Sequence, residues 1–321
     1  MPSANFLFIG MNTANDPADL DPAKGECADI LNMDPDNDGS VSTRDGAVPV
    51  ITGAAYHSGW SPDGKVAYLV RRDGWLCSFD GTTVTTLYAV DPNLPMAFAP
   101  VNDLVVASNG RQYLIIEPSG VSPAKPSLDP FKVAPPAGQC LAYYNGRLYI
   151  ASGNVLVCTD PFTVDQCDER QMRLPITQDR ITGLAALEGG GLIIGTTREV
   201  FALLGGDPFA AGESMTLRYL ANYGMIPGTA LVTAAEKVPR TQFQGMVALW
   251  ASPRGFCAAS NTGAFVNFSE RSVAFPQATS GAAMLREEDG IIHYVAALGS
   301  GDSFNIYDDL PVLDMDSATL G

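Results

Sequence analysis

Basic residues are scarce in this chain. Among its 321 residues, 19 lysines and arginines stand against 35 aspartates and glutamates, which gives a formal charge of −16. Duplex nucleic acid is held through its phosphates by patches of lysine and arginine, and so few scattered cations do not supply such a patch. We therefore expect no sequence-specific nucleic-acid binding. An acidic wall that repels the backbone of passing DNA fits the sign of the charge.

Long apolar segments are also missing. No run approaches the roughly 18 apolar residues of a membrane-spanning helix, so no membrane insertion is predicted. The short apolar run at 6–9 has no basic segment before it and no small-residue cleavage site after it, as a secretion signal would require. The sequence therefore predicts a protein made in a reducing cytoplasm.

Histidines and paired cysteines are too few for most catalytic or zinc sites. His57 and His293 are the two histidines, and neither lies in a serine-hydrolase or zinc-protease motif. No C-x-x-C pair occurs, so we expect buried free thiols rather than a zinc site or a disulfide framework. The six cysteines are Cys27, Cys77, Cys140, Cys158, Cys167 and Cys257.

Helical periodicity is almost absent, and what remains is a β pattern. After Gly46, short apolar runs rich in valine, isoleucine, tyrosine and phenylalanine alternate with glycine, asparagine, aspartate and proline turns. Short helices are predicted only at 27–33 and 229–237. The glycine triplet at 189–191 lies between two strand-like runs and predicts a hairpin turn rather than a phosphate-binding loop.

Similar strand–turn–strand units recur along the chain at a spacing of roughly 40 to 45 residues, with one longer unit. They begin near Ala54, Ala97, Leu141, Gly183, Met246 and Ala282. A unit of about four strands cannot bury both faces of its sheet alone, so neighbours must stack around an axis. We therefore predict an all-β fold, a β-propeller of about six blades, with five or seven as alternatives.

Three segments of different character divide the chain. An N-terminal strand and strap occupy 1–46, the β-propeller occupies 47–310, and an acidic C-terminal tail occupies 311–321. The run at 6–9 is expected to supply an outer or closing strand beside a late blade, because pairing of the chain ends removes exposed sheet edges.

The aspartate-rich turn in the strap allows two interpretations. Its D-x-D-x-D-G pattern opens a twelve-residue calcium loop. The ligands would be Asp34, Asp36, Asp38, Ser40, Ser42 and Asp45. The closing position prefers a bidentate glutamate, aspartate is one methylene shorter, and no helix follows. A solvated acidic turn is therefore the alternative, and calcium is the only cofactor that the sequence suggests.

Three parts of the sequence resemble a family of bacteriophage and prophage tail proteins that contain a β-propeller. The strap at 12–46 is the first, with Asp45 where the family has proline between arginine and glycine. The second and most specific begins with Tyr144-Asn145-Gly146-Arg147 and ends with T-D-P-F at 159–162. The third comprises 197–208, which ends in G-G-D-P, together with 252–256.

The resemblance implies a virion structural component of the tail, in a nozzle or in a tail-tip or baseplate ring. Its partners would be copies of itself in a ring and neighbouring tail proteins. Such an assembly would guide DNA ejection or support host attachment. The matching stretches carry no catalytic role, so a protein that is not an enzyme is expected, made in the host cytoplasm and located in the virion tail.

Two other functions remain open. A glycan-binding or glycan-cleaving propeller would place carboxylates and arginines around its axis. The candidates are Asp63, Asp73, Asp160, Glu188, Glu199, Arg72, Arg147 and Arg198, although carboxylates in surface turns are the ordinary interpretation. The segment at 60–65 resembles a turn of TolB-type propellers, which suggests an interaction module, but such a module is expected to carry a secretion signal.

Overall fold

The computed structural model describes most of the chain, with short gaps. The described residues are 10–20, 25–29, 33–35, 40–43, 49–62, 64–125, 127–209, 215–238, 241–270, 273, 275, 277–288 and 291–299. Within them the chain is all-β, and helix is limited to two single turns of 3₁₀ type, Pro17–Asp19 and Ala235–Lys237. No helix in this part of the chain is long and apolar enough to cross a membrane.

The strap contains two small strand pairs. Strands β1 (Gly10–Met11) and β2 (Glu26–Cys27) pair in parallel. Strands β3 (Met33–Pro35) and β4 (Val41–Thr43) form an antiparallel hairpin. The helix predicted at 27–33 is wrong, because both of its ends lie in strands whose backbone groups pair with other parts of the strap.

Five four-stranded antiparallel sheets follow. The first contains β5 (Tyr56–Trp60), β6 (Ala67–Arg71), β7 (Trp75–Phe79) and β8 (Val84–Ala89). The second contains β9 (Ala97–Val101), β10 (Leu104–Ser108), β11 (Tyr113–Glu117) and β12 (Gly120–Pro123). A small outer pair joins β13 (Lys132–Val133) to β17 (Cys167–Asp168). The third contains β14 (Cys140–Tyr144), β15 (Arg147–Ser152), β16 (Val155–Cys158) and β18 (Arg173–Pro175).

The remaining sheets complete the described propeller. The fourth contains β19 (Ile181–Leu187), β20 (Gly191–Thr196), β21 (Val200–Gly205) and β22 (Met215–Ala221). The fifth contains β23 (Leu231–Ala234), β24 (Met246–Ser252), β25 (Gly255–Ser260) and β26 (Phe265–Asn267). The sixth has two described strands, β27 (Ser280–Glu288) and β28 (Ile291–Gly299).

Apolar clusters join each sheet to the next, from the first through the sixth. Strand β10 shows how one strand serves two clusters: Val105 and Ala107 pack toward the first sheet, and Val106 packs toward the third. Because successive side chains of a strand point to opposite faces, a sheet buried on both sides needs an apolar residue at nearly every position. The predicted β-propeller of about six blades is confirmed.

One repeat boundary was predicted incorrectly. The fifth sheet begins at Leu231 in β23, and Met246 begins its second strand instead. The cause is the helix predicted at 229–237, of which only the final 3₁₀ turn exists. β-Branched Val232 and Thr233 favour a strand, and Leu231 pairs opposite Leu249 of β24. The predicted hairpin turn at the glycine triplet is confirmed between β19 and β20.

Two predictions about the chain ends lie outside the described residues. They are the closing strand at 6–9 and the acidic tail at 311–321.

Candidate functional site

A cavity of about 1070 Å³ lies where the first strands of the first five sheets converge. Each of these strands ends the hydrogen-bonding order of its own sheet, so one edge of each is turned toward the axis. Its wall is mainly apolar and includes Leu184 and Val232. Such a concave, apolar space with a few polar groups is the form that ligand sites usually take.

Aromatic rings form one side of this cavity. The rings of Trp60 and Phe98, from the first and second sheets, lie 5.8 Å apart with planes 7° from parallel. Tyr68 stacks against both, at 6.4 and 6.2 Å. The hydroxyl of Ser58 accepts a hydrogen bond of 3.1 Å from the Met96 backbone N–H. That bond ties the strand that carries Trp60 to the start of the second sheet.

Glu188 supplies the one carboxylate among the described residues of the cavity wall, and it is exposed at the turn after β19. Tyr143 adds a half-buried phenol. Asp63 follows Pro62 of the wall in sequence but lies outside the described residues. Hydrolysis of a glycoside usually uses two carboxylates placed across the bond, and the described wall supplies one of them.

The other predicted carboxylates lie in separate turns. Asp73 pairs with Arg71 at 2.5 Å, and hydrogen bonding to that guanidinium lowers the pKa of Asp73. Asp160 pairs with Lys132 at 2.6 Å. Glu199 lies in a surface groove of the fourth sheet. The structure therefore does not bring these groups together as an acid–base pair.

The predicted arginines are equally dispersed. Arg72 is exposed in the turn after β6, where it helps to lower the pKa of His57, after the larger effect of burial. Arg198 pairs with Asp179 on the surface. Arg147 alone is buried, and it lies in the third sheet but is not itself part of the described cavity wall.

Arg147 forms a set of polar contacts that joins two sheets. Its Nε and Nη2 atoms donate to one oxygen of Asp207, at 3.0 and 2.7 Å. Its Nη1 atom donates to the Thr159 carbonyl at 2.8 Å, and its guanidinium lies 5.6 Å from the ring centroid of Phe209. The ion pair thus joins the two D-P-F segments, one after β16 in the third sheet and the other after β21 in the fourth.

The turn before Arg147 is built for this junction. Asn145 and Gly146 both adopt positive φ, 48° and 77°, as a tight hairpin between β14 and β15 requires. The Phe162 backbone N–H donates to the Gly146 carbonyl at 2.6 Å. A side chain at Gly146 would meet the Phe162 ring at 3.0 Å. The Tyr144 hydroxyl donates to the Gly205 carbonyl at 2.6 Å, which adds a second link to the fourth sheet.

The Arg147–Asp207 ion pair was not predicted, because the two residues lie 60 positions apart and sequence spacing does not reveal such a contact. The repeated D-P-F triplet was the available signal. The aromatic wall was missed as well, although Trp60, Phe98 and Tyr143 all lie on first strands of successive sheets.

The cysteines are free, as predicted for buried thiols. Four are buried and two, Cys27 and Cys140, are half-buried. Burial raises the pKa of Cys158, Cys167 and Cys257 to about 12. Because the thiolate is the reactive form, these three side chains contribute packing and not nucleophilic chemistry.

Only part of the predicted calcium loop lies within the described residues. Asp34 pairs opposite Ser42 in the β3–β4 hairpin, and the side chains of Ser40 and Ser42 are exposed. The other ligands, Asp36, Asp38 and Asp45, lie outside the described residues. Calcium binding therefore stays a prediction. Elsewhere in the described part of the chain, no three His, Cys, Asp or Glu side chains come together as a metal site.

No family model and no curated protein matches this sequence. Solved structures resemble it at low identity. The extracellular domain of a protein classed as a hybrid two-component system from Bacteroides thetaiotaomicron matches 79% of this chain at 10% identity, with a TM-score of 0.48. The matched part is 31% of that extracellular domain, so this chain spans about a third of the domain's length.

Two further structures show a likeness of the same order. The computationally designed protein Ika8 matches 74% of this chain and 67% of its own length, at 13% identity and a TM-score of 0.45. Virginiamycin B lyase from Staphylococcus aureus matches 73% and 76%, at 9% identity and a TM-score of 0.44. None of these likenesses assigns an activity, a ligand or a partner to the chain.

Proposed function

We propose that this chain is a structural component of a bacteriophage tail, built into a nozzle or a tail-tip or baseplate ring. Copies of the chain would assemble symmetrically with neighbouring tail proteins. The ring would guide DNA ejection or support attachment to the host. The work of the protein is then mechanical, through the shape and rigidity of the propeller.

The junction built on Arg147 and Asp207 carries this proposal. Two stretches of the phage-tail resemblance, 144–162 and 197–208, meet at that ion pair. The residues of these two stretches that resemble the family have structural roles. Gly146 forms a positive-φ turn, Arg147 supplies a buried guanidinium, and Asp207 caps its own D-P-F segment. These residues match a family of structural proteins, and in this chain they stabilise the contact between two sheets. Both observations support a structural function.

The charge and the cavity support one position for DNA in such a ring. The described wall of the central cavity is mainly apolar, so it offers few groups that would bind a charged duplex. The formal charge of −16 suits an outer wall that repels phosphates and prevents adhesion. We infer that DNA would pass between copies of the chain and not through the centre of one propeller.

Mass spectrometry of purified phage particles tests the proposal. Particles would be induced from the cell that encodes the chain, banded on a density gradient and digested. Peptides of this chain should co-purify with the major capsid and tail proteins at a constant ratio. Their absence from intact particles that contain the other tail proteins would contradict the proposal.

Glycan binding in the central cavity is a second candidate, favoured by the parallel rings of Trp60 and Phe98 beside Tyr143 and Glu188. Aromatic faces with a nearby carboxylate suit a sugar ring. A glycan array should then show binding that Trp60→Ala abolishes. Trp75→Ala is the matched control, because Trp75 is 38% exposed and lies outside the described cavity wall. Equal binding by both variants would exclude the cavity.

A further inference from the structure

A second concave surface lies between the outer strands of the third and fourth sheets, and we call it the rim groove. It is formed by 176–179 after β18, Arg198 and Glu199 between β20 and β21, Phe201 of β21 and Asn222 after β22. Its volume of about 670 Å³ is within the range of roughly 300–1,000 Å³ that small-ligand sites occupy. The rim groove shares no residue with the described wall of the central cavity.

One side of the rim groove is aromatic. Phe201 pairs opposite Tyr219 of β22, so the two side chains lie on the same face of the fourth sheet. Leu203, two positions further along β21, packs against the third sheet, so this face is the one turned toward the groove. The two ring centroids are 5.7 Å apart, and their planes are 73° from parallel. Phe201 is half-buried and Tyr219 is 51% exposed, which leaves part of the tyrosine ring open to a ligand.

The other sides of the rim groove are polar and carry both donors and acceptors. The Arg198 Nε atom lies 3.0 Å from each carboxylate oxygen of Asp179. The Asp179 side chain is 13% exposed and that of Arg198 is 76% exposed. A carboxylate has about four lone-pair sites, so Asp179 keeps acceptor sites after this pairing. Gln178 and Asn222 add exposed amides, which can donate and accept at the same time.

Buried hydrogen bonds hold the polar wall in place. Asn154, fully buried in the turn between β15 and β16, donates to the carbonyls of Thr177 and the next residue, both at 3.4 Å. The Thr177 hydroxyl accepts from the Asp179 backbone N–H at 3.1 Å. On the fourth sheet, the buried Thr196 hydroxyl accepts from two backbone N–H groups of the 197–199 turn, at 3.2 and 2.9 Å. Groups that are fixed before binding lose little conformational entropy when a ligand arrives.

This arrangement matches the chemistry of a neutral sugar. A pyranose has an apolar C–H face, which suits the electron-rich face of an aromatic ring, and hydroxyls that each donate and accept. An anionic ligand is disfavoured, because Asp179 and Glu199 place two carboxylates beside one guanidinium. We propose that the rim groove binds a neutral oligosaccharide, with a sugar face on Tyr219 and hydroxyls hydrogen-bonded to Asp179 and Asn222. This inference does not depend on the proposed function.

A peptide strand is the other occupant that an open sheet edge can take. Strand β22 ends the hydrogen-bonding order of the fourth sheet, so a peptide would add to it through backbone hydrogen bonds. Such pairing uses the backbone of β22 and neither the Arg198–Asp179 pair nor the Gln178 amide, which line the groove. The polar lining therefore favours a sugar over a peptide.

Binding of the whole chain to a printed array of neutral and acidic oligosaccharides tests the proposal. We expect binding to at least one family of neutral glycans and none to their sialylated or uronic-acid relatives. Affinity for the neutral glycan, measured by calorimetry, should change little between low and high salt, because no ligand charge is screened. Absence of binding to every neutral glycan would overturn the proposal, as would binding confined to acidic glycans.

Point variants test whether the bound glycan occupies the rim groove. Tyr219→Ala should weaken binding by about tenfold, whereas Tyr219→Phe keeps the ring and should bind as the unaltered protein does. Arg198→Met should also weaken binding by about tenfold, because Asp179 loses the partner that orients it. Thermal unfolding of each variant separates these effects from a loss of folding, since both side chains are exposed.

Trp60→Ala is the control for the central cavity, because Trp60 lines the cavity and not the rim groove. It should bind the glycan as the unaltered protein does. Loss of binding in Trp60→Ala together with full binding in Tyr219→Ala would place the sugar in the cavity and overturn the inference. Equal affinity in the unaltered protein, Tyr219→Ala and Arg198→Met would overturn it as well.

Discussion

The junction of the third and fourth sheets and the junction of the sixth and first sheets are the two extremes of this propeller. In the first, Tyr149, Leu156 and Ile194 are fully buried, and the Arg147–Asp207 ion pair adds polar contacts between the two sheets. In the second, the described residues contribute half-buried or exposed apolar side chains such as Leu69 and Met284.

The difference shows how a ring made from one chain is stabilised. The second to fifth sheets each pack between the preceding and the following sheet, so their cores come from segments that are consecutive in the sequence. The two end sheets must be joined by parts of the chain that lie far apart in sequence. Stability is therefore expected to be highest at the third to fifth sheets and to depend on the chain ends at the closing junction.

The largest effect is expected in the middle of the ring. Trp250 is fully buried between the fourth and fifth sheets, and Trp250→Ala should reduce the free energy of unfolding by about 3–5 kcal/mol through lost burial and a cavity. Trp75→Ala in the first sheet should cost less than about 1 kcal/mol, because Trp75 is partly exposed. Chemical denaturation measures both values, and equal losses would remove the contrast between the two regions.

The buried ion pair should give the next largest effect. Arg147→Met leaves the carboxylate of Asp207 without its partner in a poorly solvated place and removes the bond to the Thr159 carbonyl. We expect a loss of about 3 kcal/mol. Arg198→Met is the control, since Arg198 is 76% exposed in its pair with Asp179 and should contribute less than about 1 kcal/mol.

A double-mutant cycle with Asp207→Asn separates the ion pair from the packing of the arginine stem on Phe209. Coupling energy near zero between Arg147 and Asp207 would mean that the junction depends on packing alone.

The smallest effect concerns thiol reactivity. Cys158 and Cys257 lie in the middle of the ring, and burial raises their pKa to about 12, so little thiolate forms at pH 8. Cys27 in the strap is half-buried, although burial raises its pKa as well. Alkylation by iodoacetamide, followed by peptide mass spectrometry, should label Cys27 first. Earlier labelling of Cys158 or Cys257 would show that the middle of the ring opens readily.

Much of the fold could be predicted because propeller sheets repeat a strong local signal. Runs such as those at 104–107 and 147–151 are apolar at almost every position, and they became the second strands of their sheets. The helix at 229–237 was predicted wrongly because its alanine and leucine content favours a helix. In the structure, Leu231 instead pairs with Leu249 in a strand. Such pairing is invisible to a local window.

The site was less predictable for a related reason. Each wall residue of the cavity is unremarkable in its own strand, and only packing of the first sheet against the second places Trp60 beside Phe98. The candidate carboxylates were chosen by residue type, and the fold placed Asp73 and Asp160 in separate turns with basic partners of their own.

Electron cryomicroscopy of the intact phage particle tests the central claim most directly. We predict a symmetric ring in the tail in which each copy is a six-sheet propeller, with the 144–162 turn and the D-P-F segment of Asp207 resolved at their junction. A complete tail reconstruction in which no density fits this propeller would contradict the account.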